Sequence, residues 1–270
     1  MHGVRMAVEY NHPTNPFRRG LDGIHDGRAL ALAEVRDTLH QCVTLTGYHR
    51  HALNHSPTPP DSALLDLSVR DFLGALASRA PTPGGGAAAA LAGAVAAALI
   101  EMTANLTIGK PKFASVEEQA RRIASAAAEL RYQFQDQVEA DARAFGRVSA
   151  AYRLPKSTDA ERQARSASIQ TALSEAAAIP LEAAKACAVL LELCEAAAPV
   201  LNSAVISDVL VGALLAQGAL ESAAVNVEVN VAAMSDAAAA RRLAAAVAEA
   251  RAGAAGRVER ILAVGRSRFT

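Results

Sequence analysis

The sequence predicts an all-α fold, a bundle of roughly six to eight helices, and three observations support it. Alanine, the residue with the highest helix propensity, recurs in long runs, above all in a small-residue segment from about Gly86 to Thr107. Apolar residues between Ile123 and Phe145 recur at roughly helical spacing. No segment is a convincing strand, because Val225–Val229, which does alternate, is flanked by strong helix formers.

The first helices are predicted from their capping residues and breaks. Ser68, followed three residues later by Asp71, is typical of a capping box and predicts a short helix through Ser78. A proline- and glycine-rich break over Pro81–Gly86 then precedes the long small-residue helix.

The middle helix is predicted to begin after the turn at Gly109–Pro111. Ser115 is expected to cap it, and it is predicted to continue to about Tyr152. Its apolar residues at roughly helical spacing are Ile123, Leu130, Phe134, Val138 and Phe145.

The rest of the chain is predicted to form three or four more helices. Thr158 and Glu161 match a capping box that opens a helix to about Ala198, and Pro180 predicts a kink within it. The later helices are expected from Asn202 or Ser203 to about Val225, and in one or two further segments up to about Val264.

Histidine distribution predicts a division of the chain near residue 60. All 7 histidines lie in the first 55 residues, and Ser56–Pro60 has the composition of a linker. Residues 1–60 are therefore expected to form a poorly ordered extension, with at most a helix around Ala29–Thr46, and residues 61–270 the helical domain. The spacing of Cys42, His49, His51 and His55 fits no standard zinc pattern, so no metal site is predicted.

Composition excludes several classes of partner. Lys+Arg and Asp+Glu both number 27, so the neutral chain has no global field for nucleic acid or an anionic membrane. With 4% aromatic residues and no Trp, base stacking is also disfavoured. The apolar run Gly84–Ile100 is shorter than the ~20 residues of a membrane span, and no apolar leader precedes it. We therefore expect a cytoplasmic protein without membrane partners.

The absence of histidine after residue 55 narrows the possible chemistry. A helical domain without it cannot build a Ser-His-Asp triad or the usual zinc site, so proton transfer falls to carboxylates, Lys, Tyr or water. Asp141 is the leading candidate, because aspartate is disfavoured in mid-helix and here has Ala on both sides and Phe145 one turn later. The alternative is an exposed Asp141 paired with Arg143 or Arg147.

Four polar segments along the chain are candidates for ligand binding. Gly84, Gly85 and Gly86 precede a helix whose N–H groups can bind an anion or a carbonyl, although a tight turn alone also explains them. Lys110 and Lys112 could pair a carboxylate or simply favour a helix C-terminus.

Further along, Asn202, Ser207 and Asp208 cluster at a predicted helix start, and capping explains only part of the cluster. Asn226 and Asn230 share one helix face. They would either join helices or bind the amide-like edge of a heterocycle.

Taken together, six stretches resemble the cyclodeaminase/cyclohydrolase family, which includes the cyclodeaminase half of formiminotransferase-cyclodeaminase and bacterial methenyltetrahydrofolate cyclohydrolases. The resemblance covers about Leu67 to Val264. The stretches in chain order are SVRDFLGALASRAPTPGGGAAAALAGAVAAAL, NLTIGKPKF, EADARAF, RLPK followed by ERQAR, LNSAVISD and NVEVN.

The resemblance implies a helical homodimer that binds a tetrahydrofolate derivative as substrate and needs no metal or redox cofactor. It implies Asp141 as the catalytic acid/base. The positions that match family motifs and are expected to bind substrate are Gly84, Gly85, Gly86, Lys110, Lys156, Asn202, Ser207 and Asp208. One departure is Leu201, where the family has Gly, so the backbone entering the next helix is expected to differ.

Two activities remain open from the sequence, cyclodeaminase and cyclohydrolase, because both pass through the 5,10-methenyl compound. A catalytically silent folate-binding or scaffolding bundle is the alternative. No formiminotransferase half is recognised in the sequence, so a separate formiminotransferase is a possible partner.

Overall fold

The chain forms an all-α bundle, as the sequence predicts. The computed structural model describes residues 63–269, and within them there are seven α-helices and no strand. The helices are α1 (Val69–Leu76), α2 (Gly85–Asn105), α3 (Glu117–Arg153), α4 (Asp159–Ala197), α5 (Ile206–Ala232), α6 (Ala237–Arg251) and α7 (Ala254–Arg266). Short 3-10 turns occur at Leu64–Asp66, Pro111–Val116 and Ser203–Val205. The proposed extension over residues 1–60, with its histidines, Cys42 and linker, lies outside the described residues.

Four long helices build the core. Helix α2 packs against α3 and α5, and α4 packs against the same two helices. Helices α6 and α7 cover α4 and α5. The largest fully buried side chains are Phe134, Ile100, Leu190, Leu191, Leu201, Ile206 and Leu220. This arrangement leaves the N-terminus of α2 beside the middle of α3 and the second half of α5.

Small residues let these helices approach closely. A Cβ atom at Gly93 of α2 would lie 2.7 Å from the Phe134 ring of α3. At Gly212 of α5 it would lie 3.0 Å from Ile100 Cδ1 of α2. The alanine content of the sequence therefore reflects thin helices packed at short separations.

Two predicted helix starts are confirmed and one is wrong. Ser68 caps α1 by accepting the Asp71 N–H, and Thr158 with Glu161 forms a complete capping box on α4. Ser115 caps nothing: it lies in the turn Pro111–Val116, and α3 begins at Glu117 without a side-chain cap. Two acidic residues in the first turn of α3 stabilise its N-terminus instead.

Pro180 lies inside α4, which continues from Asp159 to Ala197 without a break. Proline has no N–H, so the carbonyl of Ala176, four residues earlier, loses its helical donor. Asn230 Nδ2 of α5 lies 3.5 Å from that carbonyl oxygen and donates to it. A side chain of a neighbouring helix thus satisfies the group that proline frees.

Leu201 is accommodated without the backbone conformation that would require glycine. No residue other than glycine has a positive φ within residues 63–269. The Leu201 side chain is fully buried, and its carbonyl accepts a hydrogen bond of 2.7 Å from Arg268. The departure from the family glycine therefore adds an apolar side chain to the core.

Two segments, Gly85–Asn105 and Ser203–Ala232, are long and apolar enough to cross a membrane by length and composition. In the bundle, 56% and 44% of their most apolar windows are buried. Core helices of soluble proteins pass the same test, and both segments are partly buried in the bundle.

Candidate active site

Asp141 lies in the middle of α3 and faces the N-terminus of α2. Its Oδ2 accepts a hydrogen bond of 2.9 Å from the backbone N–H of Ala87, in the first turn of α2. That N–H has no partner within its own helix, so the carboxylate satisfies a donor that would otherwise need water. Asp141 makes no salt bridge within residues 63–269, and Arg147 pairs with Glu175 at 2.9 Å. The exposed, arginine-paired alternative for Asp141 is therefore wrong.

Gly86 makes room for the carboxylate. A Cβ atom at this position would lie 2.0 Å from Asp141 Oδ1 and 2.5 Å from its Cγ, far inside van der Waals contact. At Gly85, by contrast, a Cβ atom would lie 3.6 Å from Asn226 Nδ2, which is an ordinary contact. The three glycines therefore differ: Gly84 precedes α2 in extended conformation, Gly85 lies beside α5, and Gly86 is in close contact with Asp141.

The electrostatics of Asp141 favour proton exchange. Burial raises the pKa of the Asp141 carboxyl, and the hydrogen bond from the Ala87 N–H lowers it by a smaller amount. As a net effect, the pKa of Asp141 lies closer to neutral pH than the pKa of an exposed aspartate. A carboxyl with a raised pKa in a cleft is suited to both accept and donate a proton.

Asp141 lies in a cleft of about 390 Å³ between α2, α3, α4 and α5, within the size range of small-molecule sites. Asp141 is the one charged side chain among the described residues that line it. The lining residues are Pro81, Thr82, Gly84, Gly85, Gly86, Asp141, Ala144, Phe145, Val148, Tyr152, Leu173, Ala176, Asn226, Val229, Asn230 and Ala233.

Phe145 and Tyr152 line the cleft from α3, one and three turns beyond Asp141. They are 44% and 48% exposed, unlike the buried Ile123, Leu130 and Phe134 of the same helix. Phe145 therefore shares the helical spacing of these apolar residues but not their burial. Periodicity assigns Phe145 to a helix face, but the neighbouring helices no longer cover that face here. Half-exposed rings in a cleft offer a flat surface on which a planar ligand can stack.

Asn226 and Asn230 of α5 form the wall of the cleft opposite α3. Asn226 Nδ2 donates to Ser222 O at 2.9 Å, and Asn230 Nδ2 donates to Asn226 O at 2.9 Å. The sequence left open whether these amides join helices or face a ligand. Asn230 joins two helices, because its Nδ2 also reaches the Ala176 carbonyl of α4, and both amides line the cleft.

Gln137 was missed by the sequence analysis. It lies one turn before Asp141 on α3, is buried, and its Oε1 accepts no hydrogen bond within the described residues. Residues four apart on a helix have Cβ atoms about 5–6 Å apart, so Gln137 and Asp141 are neighbours on one face of α3. A polar residue within an otherwise apolar stripe was the signal available in the sequence.

The other predicted binding residues lie away from this cleft. Lys110, Asn202, Ser207 and Asp208 are at the opposite end of α2, which is roughly 30 Å long, where α2 ends and α5 begins. Lys156 is exposed in the connection between α3 and α4 and does not line the cleft.

Asn202 has a structural function that explains its position. Its N–H donates to Thr107 Oγ1 at 3.0 Å and its Nδ2 to Leu106 O at 3.2 Å, while its Oδ1 accepts the Ala204 N–H at 3.1 Å. Asn202 is buried and joins the end of α2 to the start of α5. Within one chain, the structure therefore brings Asp141 together with the glycine turn. It does not bring Lys110, Asn202, Ser207 and Asp208 to the same cleft.

Comparisons with known proteins agree with this architecture. The family described as formiminotransferase-cyclodeaminase matches residues 68–249. A methenyltetrahydrofolate cyclohydrolase from Methylorubrum extorquens is 43% identical over 169 residues, which cover 63% of this chain and 81% of that protein.

A formimidoyltransferase-cyclodeaminase from Rattus norvegicus is 33% identical over 177 residues, 66% of this chain but only 33% of that protein. This chain therefore matches about a third of the rat protein. Among solved structures, a formiminotetrahydrofolate cyclodeaminase from Thermotoga maritima is similar with a TM-score of 0.68 and 32% identity, covering 76% of this chain and 98% of that one.

Proposed function

The chain belongs to the formiminotransferase-cyclodeaminase family, and we propose that it is a folate one-carbon enzyme with Asp141 as catalytic acid/base. The observation that carries this proposal is the Asp141 carboxyl itself. It is partly buried in a cleft, held by the Ala87 N–H and closely packed on Gly86. The hydrogen bond and the close packing give the carboxyl a defined orientation, and burial raises its pKa; both properties suit general acid–base catalysis.

Methenyltetrahydrofolate cyclohydrolase is the activity we favour. The relative with that name is 43% identical and the match covers 81% of its length, against 33% identity for the rat formimidoyltransferase-cyclodeaminase. Formiminotetrahydrofolate cyclodeaminase is the second candidate, supported by the similarity in fold to the Thermotoga protein.

In the cyclohydrolase reaction, water adds to the electrophilic methenyl carbon between N5 and N10. The Asp141 carboxylate takes a proton from the attacking water as the new C–O bond forms. The protonated Asp141 then delivers a proton to N5 as the C–N5 bond breaks and the hydroxyl of the adduct loses its proton to solvent. The product is 10-formyltetrahydrofolate, and one proton is released overall.

In the cyclodeaminase reaction, N10 attacks the formimino carbon on N5. The formimino group enters as its protonated amidinium form, so its nitrogen already carries two hydrogens. Asp141 takes the N10 proton and delivers it to this nitrogen, and ammonia leaves as the cationic 5,10-methenyl ring closes. The same carboxyl in the same position performs both transfers, because each reaction proceeds through a tetrahedral carbon between N5 and N10. Holding that carbon beside Asp141 is the contribution of the cleft.

Ultraviolet absorbance of the methenyl chromophore tests the proposal with the purified full chain. Accelerated loss of the chromophore from 5,10-methenyltetrahydrofolate alone identifies a cyclohydrolase. Appearance of the chromophore from 5-formiminotetrahydrofolate identifies a cyclodeaminase. A folded chain that binds folate but is inactive in both assays contradicts the enzyme proposal and supports the silent binding bundle.

We also propose a homodimer that associates through one face of α2 and α5. Val95 and Met102 of α2 and Val211 and Leu214 of α5 are large apolar side chains that are 39–49% exposed. A shallow groove between the two helices, lined by Ala88, Ala92 and Val225 among others, continues this surface to the cleft. Apolar surface of this kind on a soluble protein is typical of an interface.

The remaining features of the proposal concern location and supply of substrate. A cytoplasmic location follows if the substrate is a soluble folate. If the chain is a cyclodeaminase, a separate formiminotransferase would supply its substrate, since the rat relative combines the two names in one protein. Cell fractionation and a coupled assay with a formiminotransferase test these two points.

A further inference from the structure

We infer that Asn226 and Asn230 form a subsite that binds the hydrogen-bond-donor edge of a neutral, flat nitrogen heterocycle, and thereby orient the pterin head of folate in the cleft. This inference rests on the proposed function and adds to it which part of the substrate the cleft binds. Three observations support the inference: the orientation of the two amides, the charges of the side chains that line the cleft, and the position of the amides relative to Asp141.

The hydrogen bonds determine which way each amide points. The Nδ2 of Asn226 lies 2.9 Å from a backbone carbonyl oxygen, and that of Asn230 lies 2.9 Å from another. A carbonyl oxygen can only accept a hydrogen bond, so exchanging the nitrogen and oxygen of either amide would bring two acceptors together. Each amide therefore directs its nitrogen to the backbone and leaves its oxygen for another partner.

Pro180 strengthens this assignment for Asn230. Because proline removes the helical donor to Ala176 O, that carbonyl needs another, and Asn230 Nδ2 lies 3.5 Å from it. Asn230 Nδ2 thus lies within hydrogen-bond distance of two backbone carbonyls. Neither Asn226 Oδ1 nor Asn230 Oδ1 accepts a hydrogen bond from any part of the chain that the structure describes, so both acceptors are available to a ligand in the cleft.

The charges of the cleft define the ligand class. Asp141 is the only charged side chain lining it among the described residues, and the lining contains no lysine or arginine. A ligand carboxylate would find no cation there and would meet a carboxyl. Two amide oxygens instead select N–H donors, and the half-exposed rings of Phe145 and Tyr152 favour a planar group. A tetrahydropterin, with its planar pyrimidine ring, 2-amino group and ring N–H groups, matches this pattern, whereas the glutamate tail of folate does not.

The glycine turn connects this subsite to the catalytic carboxyl. A Cβ atom at Gly85 would lie 3.7 Å from Asn226 Oδ1, and one at Gly86 would lie 2.0 Å from Asp141 Oδ1. Two successive residues of α2 therefore lie against the two functional groups, one from α5 and one from α3. A heterocycle held by the amides would therefore lie beside Asp141.

Fragment binding tests the assignment. Isothermal titration calorimetry of the full chain would use 6-methyltetrahydropterin as the head fragment, p-aminobenzoylglutamate as the tail fragment and 5-formyltetrahydrofolate as the whole ligand. The variants are Asn226→Leu and Asn230→Leu, with Gln217→Met as the matched control, since it removes an amide from α5 outside the cleft. Circular dichroism and Tm establish that each variant is folded.

We expect each leucine variant to raise the Kd of the head fragment and of the whole ligand about five- to tenfold, the loss of one hydrogen bond. The Kd of the tail fragment, and every Kd of the Gln217→Met variant, should stay unchanged. Turnover at low substrate should fall through KM more than through kcat. Asn226→Leu is the safer variant, because its amide nitrogen donates only within its own helix.

Unchanged Kd values for the head fragment in both leucine variants would overturn the subsite while leaving the proposed function intact. So would binding of the tail fragment in preference to the head. A wild-type chain that binds none of the three ligands and turns over no folate would overturn the subsite together with the proposed function.

Discussion

At the scale of single residues, burial and hydrogen bonding act on Asp141 in opposite directions, and burial has the larger effect on its pKa. We expect Asp141→Asn to lower kcat by about 100- to 10 000-fold, the usual contribution of a general acid–base, with an unchanged helical circular dichroism spectrum. In the wild-type cyclohydrolase reaction, kcat/KM should rise with pH through a pKa above that of an ordinary aspartate. Full activity in the variant would remove Asp141 from the mechanism.

The same pKa shift has a consequence for stability that does not depend on the substrate. Because the folded pKa of Asp141 is raised from 3.8, its contribution to the free energy of unfolding is complete below pH 3.8 and is lost as the pH rises through the raised value. Asp141→Asn does not titrate. Its stability relative to wild type should therefore increase between acid and neutral pH. Urea unfolding of both proteins over this pH range measures the difference, and a difference independent of pH would contradict the raised pKa.

Gly86 provides the space for the Asp141 carboxylate, and its substitution tests this geometry. Gly86→Ala would force a methyl group to within 2.0 Å of Oδ1, so the carboxylate must move. We expect turnover to fall about 100-fold, as a displacement of about 1 Å can cause. The matched control is Gly146→Ala on α3, where a Cβ atom meets nothing within 4 Å. Equal activity of the two variants would show that the close contact is not needed.

At the scale of helices, the sequence predicted the features that depend only on residues close together along the chain. The caps at Ser68 and at Thr158–Glu161 are local hydrogen bonds, so the residue types alone indicate them. Ser115 fits the same pattern but lies in a 3-10 turn, because the chain after Pro111 turns tightly before α3 begins. The exposure of Phe145 depends on which part of α3 the neighbouring helices cover, and the spacing of apolar residues along α3 does not encode this.

Close helix packing makes a prediction from a matched pair of glycines. Gly93→Ala would bring a Cβ atom to 2.7 Å from the Phe134 ring, so we expect a loss of about 1–3 kcal/mol from overpacking. Gly146→Ala, exposed and unobstructed, should gain about 0.5–1 kcal/mol from the better helix former. Thermal unfolding should therefore shift in opposite directions, by about 2–4 °C per kcal/mol. If both substitutions stabilised the protein, the Phe134 ring could move away from residue 93 without cost, and the overpacking argument would be contradicted.

At the scale of the whole molecule, the order of motifs along the chain could not reveal how the fold separates them. Asp141 meets Ala87, a residue 54 positions earlier, because α2 and α3 run side by side. Lys110 and Asp208 belong to motifs that are equally recognisable, but they lie at the far end of α2. Motif resemblance identified the candidates, whereas only the packing of α2 against α3 and α5 distinguishes those that form the cleft.

The exposed apolar face of α2 and α5 leads to a prediction about assembly. If this face forms the proposed homodimer, the two copies bury the same residues against each other, so one substitution introduces a charge twice across the interface. We expect Val95→Glu and Leu214→Glu, at side chains 46% and 49% exposed, to convert the dimer to a monomer in light scattering coupled to size-exclusion chromatography. Val69→Glu is the control, since Val69 is 79% exposed on α1, outside this face.

Folding of the monomer should survive both substitutions, because neither side chain is buried within the bundle, and circular dichroism would verify this. A dimer that persists in both glutamate variants would mean that the chain associates through another surface. A wild-type chain that is monomeric at micromolar concentration would contradict the proposed homodimer. Recovery of the wild type with membranes, and of the glutamate variants in the soluble fraction, would instead assign the face to lipid, since charged side chains oppose insertion into a bilayer.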